Sequence, residues 1–229
     1  MLLSIIIPVF NESKTLKEII RKVEKVDVSK EIIAVNDGSS DDSRVILEEL
    51  EHEGRIKLIN HGKNLGKGAA IKSGLKKISG DFVIIQDADL EYNPDDYLKL
   101  LEPLIKKEAD IVFGSRNMGT NNVPINRYYF YGGLLSSKIF NFLFNTNFTD
   151  IHTCYKIFPA KLAQTLINLP GNDFVFDAVE LTHALIKSGK VIEIPINYTA
   201  RSVKAGKKLN WRHGFAIFGA MFRLRFNLN

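Results

Sequence analysis

Two aspartates one residue apart, Asp87 and Asp89, are the residues whose types and spacing most directly suggest chemistry. They follow the apolar run FVIIQ at residues 82–86, which predicts a strand. Two carboxylates at a strand end can point into one site, and Mg²⁺ and Mn²⁺ prefer such oxygen ligands and keep phosphate oxygens in their shell. Glu91 stands two residues later and would add a third ligand. The segment predicts a metal site for a phosphorylated ligand.

Three other polar segments also follow predicted strands. They are PVFNE at residues 8–12, NDGSSD at residues 36–41 and NLGKG at residues 64–68. In parallel sheets, ligands bind outside the carboxyl ends of the strands, so we expect these segments to gather along one edge. Together they supply carboxylates, glycines and a lysine, which are the groups needed to hold a nucleotide and a metal-bound diphosphate.

The elements that must position these segments alternate along the first half of the chain. Short apolar runs predict strands at residues 2–7, 31–35, 57–59, 82–86 and 110–115. Helical patterns separate them, and Pro94 is suited to the first position of one of these helices. Strands alternating with helices imply βαβ units. We therefore predict an α/β fold with a mostly parallel sheet flanked by helices.

The second half is less regular. Residues 127–148 are apolar and aromatic, with Gly132 and Gly133 in the middle, and predict a pair of amphipathic or buried helices. Residues 177–187 predict a helix and residues 191–198 a strand. No repeat or linker interrupts the chain, so we expect one domain over residues 1–229.

Composition narrows the class of protein. The 229 residues are 45% hydrophobic and 25% charged, which is typical of a globular chain. The single cysteine, Cys154, cannot form an internal disulfide, and we expect it to be buried in a protein of a reducing compartment. Neither a signal peptide nor an apolar run of about 18 residues is evident, so any membrane role should be peripheral.

Charge is unevenly distributed along the chain. From Arg201 to Asn229 there are seven Lys and Arg residues and no Asp or Glu, and large aromatic side chains lie between them. This mixture suits an anionic lipid surface or a phosphorylated ligand. Nucleic acid is the competing partner, and the motifs upstream argue against it.

The sequence lacks the motifs of other nucleotide-binding proteins and of hydrolases. The segment at residues 66–68 has Ile71 where a dinucleotide fingerprint needs glycine, and it does not follow the first strand. The sequence contains no P-loop, no Cys/His cluster for zinc and no nucleophile elbow of a hydrolase.

Between residues 4 and 94, the segments IIIPVFNE, VNDGSSDDS, NLGKGAAIKSG and QDADLEYNP resemble the GT-A fold of family-2 glycosyltransferases. Further on, GSR, TDIHTCYKIF, FDAVEL and residues 194–214 resemble the polyprenyl-phosphate hexose synthases. The resemblance implies a Rossmann-like GT-A domain whose residues 1–116 bind the nucleotide-sugar and whose residues 117–229 bind the acceptor. From their residue types, residues 127–148 and 212–226 are expected to form amphipathic helices at a membrane interface, unless the acceptor is soluble.

The resemblance also implies roles for particular residues. The residues expected to bind the donor are Pro8, Phe10, Glu12, Asp37, Lys67, Asp87 and Ala88. The expected ligands of Mg²⁺ or Mn²⁺ are Asp87, Asp89 and Glu91, although some relatives have Gln in place of Glu91. Arg116, Arg127 and Arg201 are expected to bind an acceptor phosphate, because guanidinium groups match phosphate geometry.

The implied reaction is an inverting, metal-dependent transfer of a hexose. The donor would be a UDP- or GDP-hexose and the acceptor a polyprenyl phosphate, at the cytoplasmic face of a membrane. If the acceptor were instead a hydroxyl of a glycan or protein, a carboxylate base would be needed, with Asp177 and Glu180 as candidates. A nucleotidyltransferase and a non-catalytic binding module are the other classes left open.

Overall fold

The computed structural model describes residues 1–118, 127–201 and 211–226, and only the backbone at residues 127, 129 and 211–213. Within these residues, seven strands form one sheet in the order β3-β2-β1-β4-β6-β5-β7. The strands are β1 (Leu3–Val9), β2 (Lys30–Asn36), β3 (Lys57–Asn60), β4 (Phe82–Ile85), β5 (Ile111–Ser115), β6 (Lys156–Pro159) and β7 (Val191–Pro195). Only β6 runs antiparallel to its neighbours. The predicted α/β fold with a mostly parallel sheet is confirmed.

Helices flank this sheet. They are α1 (Leu16–Lys25), α2 (Ser43–His52), α3 (Lys67–Leu75), α4 (Tyr97–Ile105), α5 (Arg127–Phe144), α6 (Ala163–Ile167), α7 (Thr182–Ile186) and α8 (Trp211–Phe226). Short 3₁₀ turns precede α4 and α6, and a π-helical turn, Phe176–Leu181, precedes α7. Pro94 opens the turn before α4, as its sequence position predicted. In the described parts of the chain, no helix has the length and apolar character needed to cross a bilayer.

The core forms around β1, which lies between β2 and β4. Its apolar side chains are almost fully buried because helices cover the sheet on both sides. On α1, the helically spaced residues Leu16, Ile19, Ile20 and Val23 are all buried, which confirms that predicted helix. Cys154 is also buried, as expected. The sheet includes β6 and β7, so strands from both halves of the sequence share one core.

One prediction for the second half is wrong, and another holds over a shorter range. The pair of helices predicted within residues 127–148 is the single helix α5, which ends at Phe144 and has no break at Gly132 and Gly133. The cost of two helical glycines, about 1 kcal/mol each, is opposed by burial of Phe140 and Leu143 in a cluster with residues of α8. The strand predicted at residues 191–198 ends at Pro195.

The antiparallel strand β6 was not predicted. Its four residues, KIFP, begin with Lys156, which is fully buried although lysine is a residue type usually found at the surface. The hydrophobic pattern could not reveal this strand, because the carboxylate that pairs with Lys156 belongs to Asp177, 21 positions away in the sequence.

Two glycines let the second half pack closely against the start of α3. Gly66 has φ +99°, and a Cβ there would lie 2.3 Å from the carbonyl oxygen of Asn172. A Cβ on Gly68 would lie 2.6 Å from the Cβ of Phe176. In addition, the amide of Ala69 donates to Asn172 O at 3.0 Å. These glycines therefore serve close packing of residues 172–176.

We expect Gly66→Ala to lower the free energy of unfolding by about 2 kcal/mol or more, because it combines a strained φ with a clash against backbone. Gly54→Ala is the matched control, since Gly54 has φ +72° and open space around its Cβ position. Urea unfolding of both variants measures the difference. Equal losses would show that packing against Asn172 contributes nothing.

Candidate active site

The loops after β1 and β2 interlock at the carboxyl edge of the sheet. The amide of Asn11 donates to Ser39 Oγ at 3.0 Å, and the amide of Ser40 donates to Asn11 Oδ1 at 2.8 Å. The amide of Glu12 donates to Ser43 Oγ at 2.9 Å. The gathering of strand-end segments predicted from the sequence is therefore present, and it includes Pro8 on β1 and Phe10 directly after it.

Asp41 joins these two loops through its carboxylate. It accepts hydrogen bonds from the amides of Ser13 and Ser43, each at 3.0 Å. Burial would raise the pKa of Asp41, but the hydrogen bonds from Ser43 and Ser13 outweigh it and lower the pKa to about 2. The ionised carboxylate thus fixes the loop that carries Glu12.

Asp37 holds the segment that leads into α3. Its carboxylate accepts from the amides of Leu65 and Gly66, each at 2.9 Å, and lies 2.7 Å from Nδ1 of His61. The other ring nitrogen of His61 lies 2.9 Å from Ser73 Oγ. The expected contact of Asp37 with a nucleobase stays a prediction, and the organising role of His61 was not found from the sequence.

Arg201 draws together carboxylates from two strand ends. Its Nη1 and Nη2 atoms each lie 3.0 Å from an oxygen of Glu12, and Nη2 lies 3.0 Å from Asp89 Oδ2. Its amide donates to Glu91 Oε1 at 2.7 Å, while the hydroxyl of Tyr198 donates to the other oxygen of Glu91. Arg201, expected at the acceptor, therefore lies against residues expected at the metal and the donor.

Asp89 has an unusual electrostatic environment. Burial, together with the charges of Asp87 and Glu91, raises its pKa to about 7, although Arg201 acts in the opposite direction. Carboxylates with strongly raised pKa values cluster at functional sites. The expected role of Asp89 as a metal ligand stays a prediction.

Asp87 forms an ion pair with a lysine. Lys67 Nζ lies 2.8 Å from Asp87 Oδ1 and 2.8 Å from Asp177 Oδ2. Lys156 Nζ in turn lies 3.0 Å from Asp177 Oδ1. Ala88, between the two aspartates, is buried. Lys156 was not singled out from the sequence, although it lies within the segment TDIHTCYKIF that carries the resemblance.

Both carboxylates considered as bases are buried and engaged. Asp177 is paired with two lysines, and although burial alone would raise its pKa, Lys156 and Lys67 hold that pKa below its usual value. Glu180 accepts a hydrogen bond from the amide of Gly171 at 2.7 Å. A general base works best with a pKa near the operating pH, so Asp177 is poorly suited to that role.

Arg116 lies on the side of the site formed by β5. Its Nε and Nη2 atoms donate to the carboxylate of Asp150 at 2.6 and 2.7 Å, and its guanidinium lies 5.1 Å from the ring centre of Tyr198. Asp150 was not anticipated, although it too lies within TDIHTCYKIF. The side chain of Arg127, the third expected arginine, lies outside the described residues.

Comparison with known proteins gives this arrangement a family. The sequence model of Glycosyl transferase family 2 matches residues 4–166. The chain belongs to glycosyl transferase family 2. The resemblance noted in the sequence and the predicted enzyme class, a glycosyltransferase, are therefore confirmed.

Relatives of this family-2 chain are named for lipid-linked sugars. It is 29% identical over 98% of its length to a dolichol-phosphate mannosyltransferase of Pyrococcus furiosus, and it spans 64% of the length of that protein. It is 28% identical, over 98% of its length and 96% of the relative, to a UDP-N-acetylglucosamine–dolichyl-phosphate N-acetylglucosaminyltransferase of Methanococcus voltae.

A solved structure matches the fold. Glucosyl-3-phosphoglycerate synthase of Mycobacterium tuberculosis, crystallised with Mn²⁺, UDP and glucosyl-3-phosphoglycerate, superposes with a TM-score of 0.73. The sequences are 17% identical, and the match covers 99% of this chain and 80% of the other. The family-2 chain therefore has the GT-A fold that the sequence predicted.

The expected metal ligands of the family-2 site have suitable chemistry. The carboxylate oxygens of Asp87, Asp89 and Glu91 are the donors that Mg²⁺ and Mn²⁺ prefer. Across residues 1–118, 127–201 and 211–226, no three or more His, Cys, Asp or Glu side chains are arranged to hold a metal ion. Lys67 and Arg201 instead contact Asp87 and Asp89. The three side chains therefore suit a divalent cation by the chemistry of their oxygen atoms.

We expect Asp41→Asn to lower the free energy of unfolding by about 1 kcal/mol at pH 7, a value reduced for solvent screening. The folded-state pKa of Asp41 is depressed from 3.8 to about 2, so its contribution is present above pH 4 and is lost as the pH falls toward 2. Urea unfolding between pH 7 and pH 2 measures the difference. Asp42→Asn, at an exposed neighbour, is the control, and a difference from wild type that is constant with pH would contradict the role of Asp41.

Proposed function

We propose that this chain transfers a hexose from a UDP- or GDP-hexose to a polyprenyl phosphate. The observation that carries the proposal is that partners within the protein engage both candidate bases, Asp177 and Glu180. Such a site suits an acceptor that needs no deprotonation. The names of the two archaeal relatives, which specify dolichol and dolichyl phosphate, support this class of acceptor.

The donor half lies along the ends of β1, β2 and β4. Glu12 and Asp37 would face the nucleoside, and Lys67 the diphosphate. Asp87, Asp89 and Glu91 would hold Mg²⁺ or Mn²⁺, which when bound neutralises the charge on the departing nucleoside diphosphate. The crystallisation of a fold relative with Mn²⁺ and UDP supports the use of a metal.

The acceptor half is formed by arginines. A phosphate oxygen is already anionic near pH 7, so the chain must position it and offset its repulsion from the donor rather than deprotonate it. Arg201 and Arg116 would do this, with Arg127 as a proposed third. Attack from the face opposite the leaving group inverts the sugar carbon. Because strands of both sequence halves share one sheet, we propose that donor and acceptor halves form one domain.

Two helices supply a surface for the lipid. Helices α5 and α8 pack together, and neither contains an acidic residue. Their exposed side chains form what we term the aromatic surface: Tyr128, Tyr131, Leu135 and Phe142 on α5, and Phe215, Phe222 and Phe226 on α8. Lys138, Arg223 and Arg225 are also exposed on these helices. Aromatic and basic groups together suit the interface of an anionic membrane, and we propose its cytoplasmic face.

Purified protein is expected to transfer sugar to a polyprenyl phosphate, from UDP- or GDP-hexose, in a reaction that chelator abolishes. Asp89→Asn and Arg201→Gln should each lower kcat/KM by about 100-fold or more. The first removes a proposed metal ligand, and the second removes a positive charge that offsets the charge of a phosphate. Asp42→Asn, an exposed carboxylate near the same edge, is the control and should leave the rate unchanged. Transfer only to hydroxyl acceptors would overturn the lipid-phosphate proposal.

The triple substitution of Phe215, Phe222 and Phe226 by Ser should weaken binding to vesicles containing anionic lipid by at least about 10-fold. A Phe side chain that moves fully from water into lipid contributes about 1.5–3 kcal/mol. Vesicle sedimentation measures this. The matched control replaces Val45, Leu98 and Ile105, which are equally exposed on α2 and α4, by Ser. Equal binding by both triple variants would contradict the assignment of the aromatic surface.

A further inference from the structure

A row of alternating charges runs from the core to the candidate metal site. We call it the charge row, and its members are Lys156, Asp177, Lys67 and Asp87. The successive Nζ–carboxylate distances are 3.0 Å from Lys156 to Asp177, 2.8 Å from Asp177 to Lys67 and 2.8 Å from Lys67 to Asp87. Two positive and two negative groups make the row neutral, so its members can remain charged away from water.

The inner end of the row is fully buried and fully hydrogen-bonded. Lys156 has no exposed surface, and its ammonium donates to Thr153 O at 2.6 Å, to Asp177 O at 2.9 Å and to Asp177 Oδ1 at 3.0 Å. An ammonium has three N–H donors, so Lys156 has none left for a ligand. It can act on the site only through Asp177.

The members of the row come from different elements. Lys156 begins β6, Asp177 lies on the π-helical turn before α7, Lys67 begins α3 and Asp87 follows β4. Wide π-helical turns are rare and frequently occur at functional sites. Here the turn places Asp177 between two lysines that are 89 positions apart in sequence.

Lys67 needs this support because lysine is a point charge on a flexible stem. Without Asp177, the carboxylate that would hold the Lys67 ammonium is that of Asp87. A ligand or metal bound to Asp87 would compete for that contact. We propose that Asp177 and Lys156 are positioning residues that fix the Lys67 ammonium at the donor diphosphate. This inference rests on the proposed function, and it assigns Asp177 a role other than that of a base.

The electrostatics of Asp177 agree with this geometry. Burial opposes its charged form, but Lys156 and Lys67 hold the pKa of Asp177 below its usual value. Asp177 therefore stays ionised across the neutral range, as a fixed charge requires and as a proton-exchanging base does not.

The test is a double-mutant cycle on nucleotide affinity. Binding of UDP and GDP with Mn²⁺ would be measured by calorimetry for wild type, Lys67→Met, Asp177→Asn and the double variant. We expect each single change to weaken binding of the preferred nucleotide by about 10-fold. The double variant should bind nucleotide no more weakly than the single variant that binds it less tightly, because both changes remove the same interaction between Lys67 and Asp177. Additive losses, or an Asp177→Asn protein that binds nucleotide like wild type, would overturn the proposal.

Controls separate positioning from folding and from catalysis. Asp27→Asn makes the same chemical change at an exposed residue between α1 and β2 and should bind nucleotide normally. Thermal unfolding reports whether Asp177→Asn folds. If it does not, Asp177→Glu, which keeps a negative charge between the lysines, takes its place, and it should bind more tightly than Lys67→Met. If the Asp177→Glu variant bound nucleotide no more tightly than Lys67→Met, the proposal would be overturned.

The pH dependence of transfer distinguishes the two roles of Asp177. A positioning residue leaves the shape of the pH–rate profile unchanged when it is replaced. Loss of the acidic limb in Asp177→Asn, with nucleotide affinity intact, would identify Asp177 as a base and overturn the inference. Failure of wild type to bind any nucleoside diphosphate would instead overturn the proposed function on which it rests.

Discussion

Repulsion among carboxylates at one edge of the sheet is the constraint on which the site depends. Asp87, Asp89 and Glu91 lie within a span of five residues after β4. Burial, together with the charges of Asp87 and Glu91, raises the pKa of Asp89 to about 7. The chain offsets this repulsion with two cations from distant sequence, Lys67 and Arg201. Each of these cations must be held in position by other residues, many of which lie in the second half of the chain.

The two cations are anchored in different ways. Arg201 follows the segment after β7, where the amide of Thr199 donates to Glu91 O and Tyr198 donates to the carboxylate of Glu91. Lys67 is anchored through Asp177 to a buried lysine. Under the proposed function, a divalent cation held by Asp87 and Asp89 would offset their charge in place of Lys67 and Arg201. Lys67 would keep its contact with Asp177, and Arg201 its contact with Glu12.

The packing of the second half of the chain against α3 also anchors Lys67. Gly66 and Gly68 allow residues 172–176 to approach the start of that helix, which brings the π-helical turn and Asp177 to Lys67. The glycine-rich segment is therefore needed for contact between two parts of the protein. This is a different physical use of glycine from a loop that wraps a phosphate, and sequence alone does not distinguish them.

The sequence by itself determined the α/β fold, the strand ends that carry the polar segments and the family, because apolar periodicity and closely spaced motifs are local properties of the chain. It also singled out Asp87, Asp89, Lys67 and Arg201 as candidate residues, because they lie within segments that resemble the family. Only the tertiary structure decided which charges meet. Strand β6 and the roles of Lys156 and Asp150 could not be predicted, because a buried charge is stable only beside a partner that folding brings from elsewhere in the chain.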